Sequence, residues 1–446
     1  MIAIVVSRAD GASEHVGDHL LDLHEWTEHE DGSRPDAEGG GAYYRTEGFS
    51  LRTFDDLHIY LDRPAAAFDD PDYLVFASRH SGETGALLTA HFTGNFGPAE
   101  FGGDDGAFAR ACPNAQSAVV DALAAHAPEA YDVAIECTHH GPTDVGAPSM
   151  FVELGSGEPQ WADAEAARAV ARAILDLDGV APTCDRQLVG FGGGHYAPRF
   201  TRVVRETAWS VGHVAADWCL DAMGDPEPNR DVLGRAVDAS DADYALVEES
   251  SPALEAALDD VGVRAVSETW VRETDGVPLP VVESVEADLS SVDDGLRFGD
   301  AARTDGDTNG TDGYAVVSLP DALLAEAAGI DADATRDAVR AHTLAFETTE
   351  GGTRPVGRAA VATESDRESL IDALVDVLRE KYDAVERTGD ELVVRQVGFD
   401  PEKARKLGVD EGPAFGRLAA GEAVEVGGER IPPEAVRSER VSRFPV

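Results

Sequence analysis

The chain opens on an uncharged run rich in β-branched residues, IAIVVS at 2–7. Such a run fits a strand buried on both faces. The segment behind it, GASEHVGDHLLDL, spaces Val16, Leu20 and Leu23 along one helical face, with Ser13 placed to cap it. Residues 25–42 are charged and glycine-rich, and read as a loop insertion. Strand-like runs follow at 57–61 (LHIYL), 73–78 (YLVFAS) and 86–92 (ALLTAHF), then a helix at 115–126 and strands at 132–138 and 150–154. The alanine-rich stretch 160–176 predicts a strong helix with Val170 and Ile174 on one face. A strand at 187–196 runs into a glycine turn. Helices follow over about 207–222 and 229–239, then the strand YALVEE and a helix at 252–261. Strands and helices mixed in this way predict one α/β domain, a mixed or parallel central sheet flanked by helices, over residues 1–287.

The pattern then breaks. Residues 288–313 are rich in Asp, Gly and Thr and read as an acidic linker or insertion. Residues 314–446 resume folded character as a smaller α+β extension, with an amphipathic helix at 366–381 carrying Leu370, Leu374, Val377 and Leu378.

Charge changes the picture in one place. The chain of 446 residues carries 36 Lys+Arg against 85 Asp+Glu, a formal net charge of -49. Its lysines are Lys381, Lys403 and Lys406; arginine supplies the other positive charge. Acid spread along a whole chain resembles the proteins of salt-accumulating halophiles, where screening tolerates dense like charge. Net charge therefore does not exclude a nucleic-acid partner. From Arg379 onward the chain holds 12 basic and 14 acidic residues, so it is almost neutral there. That relief suits a segment touching RNA, or an ordinary subdomain with surface ion pairs. No apolar run reaches the roughly 18 residues needed to span a bilayer, and the N-terminus lacks signal-peptide features. Cys112, Cys137, Cys184 and Cys219 are widely spaced, with no CxxC pair. A reduced, cytoplasmic, monomeric protein is the simplest expectation.

The candidate chemistry lies in histidines late in apolar runs or just after them: His80, His91, His139 with His140, and His195. In an open α/β sheet the carboxyl ends of strands share an edge, where sites are built. A single such histidine is more often structural. Four strands delivering imidazoles to one rim, beside Glu136, favour a site. His139 and His140 cannot both face one way on a regular strand, so one is expected to point in while the other anchors a turn. The spacing matches no short zinc motif, which leaves a metal assembled from distant strands and a metal-free acid–base site both open. GFGGGHY fails the dinucleotide fingerprint, since His195 takes its last glycine position and no clear helix begins there. Gly192, Gly193 and Gly194 are expected to offer N–H groups to an oxyanion or phosphate, or to form a plain turn. Arg199, Arg202 and Arg205 follow at three-residue spacing, for phosphate contact or for pairing with carboxylates. No GxSxG elbow or P-loop is present.

These blocks carry a resemblance. IAIVVSRADGAS, SRHSGETGALLTAHFTGNFG, IECTHHGPTD, GFGGGHYAPRFT and the VGHV around His213 resemble, in order, the D-aminoacyl-tRNA deacylase family of archaea and plants. The resemblance spans about residues 1–287. It implies a fold related to peptidyl-tRNA hydrolases and phosphorylases, an association with zinc, and hydrolysis of the ester joining a D-amino acid to tRNA. The tRNA ester would be the partner, with neither DNA nor a membrane. On the matching positions we assign His139, His140, Glu136 and His195 as catalytic. His80, His91, Asn95, Gly192, Gly193, Gly194, Arg199 and Arg202 are assigned to substrate binding, and His91, His139 and His195 to zinc. In the tail, KARKLGVDEGPAFGRLAAGEAVEVGGERIPPEAV is similar to a segment of tRNA 3'-processing ribonuclease Z, without its histidine motif; this implies RNA handling and not nuclease chemistry. The alternatives are a phosphorylase-like or small-ester hydrolase on a similar sheet, and a non-catalytic tRNA-binding protein.

Overall fold

The computed structural model describes residues 1–303 and 313–446. The chain divides into two compact units, Met1–Asp275 and Gly276–Val446. The division falls earlier than the expected residue 287. The expected linker is only partly a linker: Leu296–Phe298 is a strand of the second unit, and residues 304–312 lie outside the described residues. No helix among the described residues is long and apolar enough to cross a membrane. All four cysteines are free.

The first unit holds two sheets. The strands of the first are β1 (Ile2–Ser7), β2 (Thr27–Asp31), β3 (Gly41–Arg45), β4 (Phe49–Phe54), β5 (Tyr73–Arg79), β6 (Leu87–His91), β7 (Asp132–Ile135) and β8 (Ser149–Gly155). They run in the order β2-β3-β4-β1-β5-β8-β6-β7. β4, β1, β5 and β8 are parallel, whereas β6 and β7 pair parallel with each other and antiparallel to β8. The second sheet is wholly parallel: β9 (Gln187–Phe191), β10 (Ser210–Ala215), β11 (Tyr244–Val247) and β12 (Arg264–Val266), in the order β10-β9-β11-β12. Helices α1 (Gly11–Leu23), α2 (Pro113–His126), α3 (Glu158–Trp161) and α4 (Ala164–Leu175) precede the second sheet in the chain; α5 (Pro198–Glu206) and α6 (Asp217–Met223) sit within it.

Several local expectations are corrected. The insertion at 25–42 contains β2 and the start of β3, an antiparallel pair. β2 is almost wholly exposed, so it carries no buried face to show in the sequence. LHIYL forms a short 3-10 turn, His58–Tyr60, rather than a strand. The helix expected over 207–222 is the strand β10 followed by α6. A helix does begin shortly after the glycine turn, at Pro198. The cap of α1 is Asp10, whose Oδ1 accepts the N–H groups of Ala12 (3.0 Å) and Ser13 (3.3 Å). Ser13 instead donates to Ala77 O at 2.6 Å and so ties α1 to β5.

The second unit has an antiparallel four-stranded sheet, in the order Leu296–Phe298, Ala345–Thr349, Arg354–Val361, Ala315–Ser318. A core of Leu323, Leu324, Val339, Phe346, Leu370 and Leu374 fills it. The helix Glu364–Arg379 begins in a capping box between Thr363 and Asp366. The segment similar to ribonuclease Z folds about its own small core of Ala404, Val409, Leu418, Val424, Ile431 and Val436. Many basic residues from 379 onward pair with carboxylates, as in Lys381–Glu326, Arg387–Glu368 and Arg395–Glu439.

Two histidines away from the glycine turn are fixed in the core as neutral rings. His213 on β10 is fully buried, with Nδ1 on Thr138 Oγ1 (2.9 Å) and Nε2 on Ala109 O (2.9 Å). His58 packs edge-on against Phe76 and Phe151. Burial lowers His213 to about 4 and His58 to about 3. Both rings are thus neutral in the fold and protonate on unfolding below about pH 6.5. Stability is undiminished above that pH and falls as pH drops toward 4, each ring adding up to about 1.4 kcal/mol per pH unit to the slope. Chemical denaturation across pH 4.5–6.5 should show this loss, and His213→Gln should flatten it by about one proton's worth. An unchanged slope in the variant would mean that His213 is charged in the fold.

Candidate active site

One short segment joins the two sheets of the first unit. β7 ends at Ile135, and Glu136 donates its N–H to Ala90 O of β6 at 3.1 Å. The next two residues bond toward the other sheet: Cys137 N–H to His195 O (2.8 Å) and Thr138 N–H to Val214 O (2.7 Å). The site forms where this segment crosses, and not along a single carboxyl edge. The expected edge fails for two reasons. β6 runs against β8, so His91 pairs with Phe151 in the middle of that strand, and β9, which delivers His195, belongs to the second sheet. His80, Glu136, His139, His140, Phe151, Glu153 and His195 nevertheless line one cavity of about 370 Å³.

Glu136 lies at its centre, with no solvent exposure of the side chain. Its Oε2 meets His195 Nε2 at 2.8 Å, with His80 Nε2 at 3.8 Å and His139 Nε2 at 3.9 Å. Burial alone would raise this carboxyl; the hydrogen bond from His195 and the surrounding imidazoles outweigh it and hold Glu136 ionised, well below the usual range. His195, about a third exposed, also approaches Cys137 Sγ at 3.5 Å. Burial disfavours its charge, but contact with Cys137 and Glu136 raises it above the ordinary imidazole value. The Cys137 thiol is itself pushed up by its contact with Cys219 and by burial, so it stays neutral and Glu136 supplies the countercharge.

His139 and His140 both reach the cavity, contrary to the expectation that only one would. The alternation rule does not apply beyond the end of β7, and His140 sits in the left-handed region (φ 47). Their rings meet at 4.4 Å, and His91 stacks on His139 at 4.4 Å and meets His140 edge-on at 5.0 Å. Each of the three places Nδ1 on a neighbouring carbonyl: His91 on Phe92 (3.1 Å), His139 on Cys137 (2.8 Å), His140 on Gly141 (2.7 Å). A carbonyl accepts only from N–H, so the neutral rings keep their lone pairs on Nε2. Burial favours that neutral form, lowering His139 to about 3 and His140 well below its ordinary value.

Sequence reasoning missed Glu153 and Cys137. Glu153, on β8, lies 3.6 Å from His91 Nε2. Burial raises its carboxyl to about 7, and burial also opposes the His91 charge, which Glu153 restores to about 9; the pair holds one proton between them. The signal was available: MFVEL places one carboxylate inside an apolar strand, and a buried carboxylate needs a partner.

Donor groups suited to a metal are present. His91, His139 and His140 offer ligand atoms within 4.8 Å of one another, as do Cys137, His139 and His195, and His80, Glu136 and His195. The expected trio of His91, His139 and His195 is not one of these groups: His140 completes the first, while His195 is drawn to Glu136. His91 Nε2 and Glu136 Oε1 are buried without a hydrogen-bond partner, which fits residues arranged around a cation.

Other expected residues serve elsewhere. His80 is buried between Ser156 Oγ (2.8 Å) and Tyr196 OH (3.3 Å), at the cavity wall. Asn95 Nδ2 donates to Gly102 O (3.1 Å) and Asp104 O (3.3 Å), bracing the loop that carries Phe101. The N–H groups of Gly192 and Gly193 are taken by Ala215 O (2.8 Å) and Asp217 Oδ1 (3.0 Å), and Gly192 lines a different cavity, so these two do not supply an oxyanion hole. Gly193 takes φ 82, in the left-handed region that favours glycine. Gly194 does not line the histidine cavity. Arg199 pairs with Glu248 and Glu268, both at 3.5 Å, and Arg202 with Glu268 at 3.3 Å. Both arginines are thus engaged with carboxylates.

Residues 67–265 match the family model described as D-aminoacyl-tRNA deacylase. Relatives of that name match the whole chain. The one from Halorubrum lacusprofundi is 55% identical, over 100% of this chain and 97% of its own. The one from Natronomonas pharaonis is 56% identical over 100% of both. A relative of the same name from Methanoregula boonei is 37% identical over 82% of this chain and 83% of its own. A crystal structure of a conserved protein of unknown function, AF0625, matches with a TM-score of 0.56 and 30% identity, over 62% of this chain and 98% of that one.

Proposed function

The chain belongs to the D-aminoacyl-tRNA deacylase family and hydrolyses the ester of D-aminoacyl-tRNA to free D-amino acid and tRNA; we propose that Glu136 and His195 carry the chemistry. The observation behind this reading is the Glu136 carboxylate, ionised and enclosed, with one oxygen on His195 and the other without a partner, in the cavity the imidazoles line. Glu136 Oε1 takes a proton from the attacking water as the water oxygen bonds the ester carbon. The His195 imidazolium lies beside the negative charge that builds on the carbonyl oxygen and stabilises it. As the carbon–ribose oxygen bond breaks, Glu136 returns the proton to the leaving oxygen and is ready again.

Zinc fits the first donor group: His139 and His140 are neutral with lone pairs on Nε2, and His91 joins them once the proton it shares with Glu153 resides on the carboxyl. When bound it would lower the pKa of water to about 7 and polarise the ester carbonyl. That arrangement leaves Glu136 and His195 outside the ligand set. Chirality is read by fit at the α-carbon between Phe151, Leu57 and Ile59 of the cavity wall. Rejecting the L form a thousandfold needs about 4 kcal/mol. A phosphorylase-like reading loses its support, because the arginines it would use are paired with carboxylates.

D-tyrosyl-tRNA should be deacylated far faster than the L form in high salt, and Glu136→Gln should lower kcat by about 10²–10⁴-fold. Equal rates on the two forms, or a fully active variant, would refute the proposal. Chelation should abolish activity and added zinc restore it, with zinc content measured directly in the wild type and lost in His139→Gln. A metal-free preparation with full turnover would return the chemistry to the protein groups alone.

A further inference from the structure

We infer that the terminal nucleotide of the tRNA is held by stacking on Trp218, with Phe101 and Tyr60 completing an aromatic rim at the catalytic cavity. The inference rests on the deacylase reading above. Among the described residues of the first unit, the exposed large hydrophobic side chains are Tyr60 (61% exposed), Phe101 (63%) and Trp218 (49%). All three stand at the same place, although each comes from a different element. Phe101 lines the cavity, and its carbonyl accepts the N–H of Gly141, next to His140, at 3.0 Å. Tyr60 follows Ile59, another lining residue, whose carbonyl packs so closely on Gly102 that a Cβ there would come within 2.1 Å. Trp218, in the first turn of α6, lies nearly parallel to His195, with interplanar angle 21° and ring centroids 6.3 Å apart. The loop of Phe101 runs by the same helix, since Gly97 packs on Ala222.

The substrate's covalent structure names the occupant. The scissile ester sits on the ribose of the last nucleotide. When its carbonyl reaches Glu136, the base lies one sugar away, at the cavity mouth. An unpaired base is held by aromatic faces, which accept any base and need no charge. Little positive charge is free for the terminal nucleotide: Arg79, the one Arg or Lys among the lining residues, lies over the Trp161 ring at 5.2 Å, and Asp217 and Asp221 flank Trp218 along the chain. Stacking also survives salt that would screen phosphate contacts.

The test compares three substrates that differ in what they carry beyond the ester: D-tyrosyl-tRNA, D-tyrosyl-adenosine and D-tyrosine ethyl ester. Trp218→Ala and Phe101→Ala should raise KM for the two nucleoside-bearing substrates by about 5- to 100-fold. The loss on the ethyl ester should be several-fold smaller, and Trp218→Phe should recover most of the binding. The salt dependence of KM should keep its slope, since no phosphate contact is removed. An unchanged KM, a flatter salt slope, or an equal loss on all three substrates would overturn the inference; the last would mean that Trp218 only packs His195. Calorimetric binding of adenosine monophosphate, weaker in Trp218→Ala, reads the rim without catalysis. If that holds while the wild type spares D-tyrosyl-tRNA, the deacylase reading fails and the rim stands.

Discussion

An ionised carboxylate removed from water constrains everything around it. Burying Glu136 costs several kcal/mol unless opposite charge and hydrogen bonds surround it. The fold meets that demand with His195, carried by the turn after β9, and it holds the segment bearing Glu136 in place by successive N–H groups at 136, 137 and 138. The two sheets, the glycine turn before His195 and the histidine pair after Thr138 are all positioned relative to this one group. His213 belongs to the same arrangement although it never reaches the cavity. By holding Thr138 to β10 and to Ala109, it locks the segment on which Glu136 is carried.

The reading from sequence succeeded where the signal was local. Runs such as IAIVVS and YLVFAS are buried strands, and the ordered histidine blocks mark the cavity. It failed where the information was not local. Nothing in LLTAH says that β6 runs against β8, and that direction alone sets the end of β6 at His91 beside Phe151 instead of at the carboxyl end of β8. SVGHVA is fully buried and lacks the alternation of a half-exposed strand, so it passed for part of a helix. TEHED is a strand with no buried face, and its order comes from pairing with β3. The histidines were found because imidazoles are rare. Glu153 was missed because acid is common in this chain, and only its apolar neighbours gave it away.

The same acidity sets two electrostatic regimes. On the surface, carboxylates pair with arginines at positions where salt screens them and each pair contributes little. In the cavity, Glu136 with His195 and Glu153 with His91 balance their charge over short distances, and three of these four side chains are almost fully buried. Those charges are screened far less than the surface pairs, and the exposed rings nearby are aromatic.

The bonds of the 136–138 segment also bear on how such a chain can change over time. Its three donors serve two different sheets in strict succession. One residue gained or lost between Ile135 and His139 would hand each donor the wrong acceptor and turn the imidazoles away from the carboxylate. Length there is frozen. Chain length as a whole does vary: the 55% identical relative aligns over 482 positions against the 446 residues of this chain. Gaps can accumulate in exposed turns and between units, while the register of three residues cannot drift, so the catalytic grammar of the molecule is written in spacing as much as in side chains.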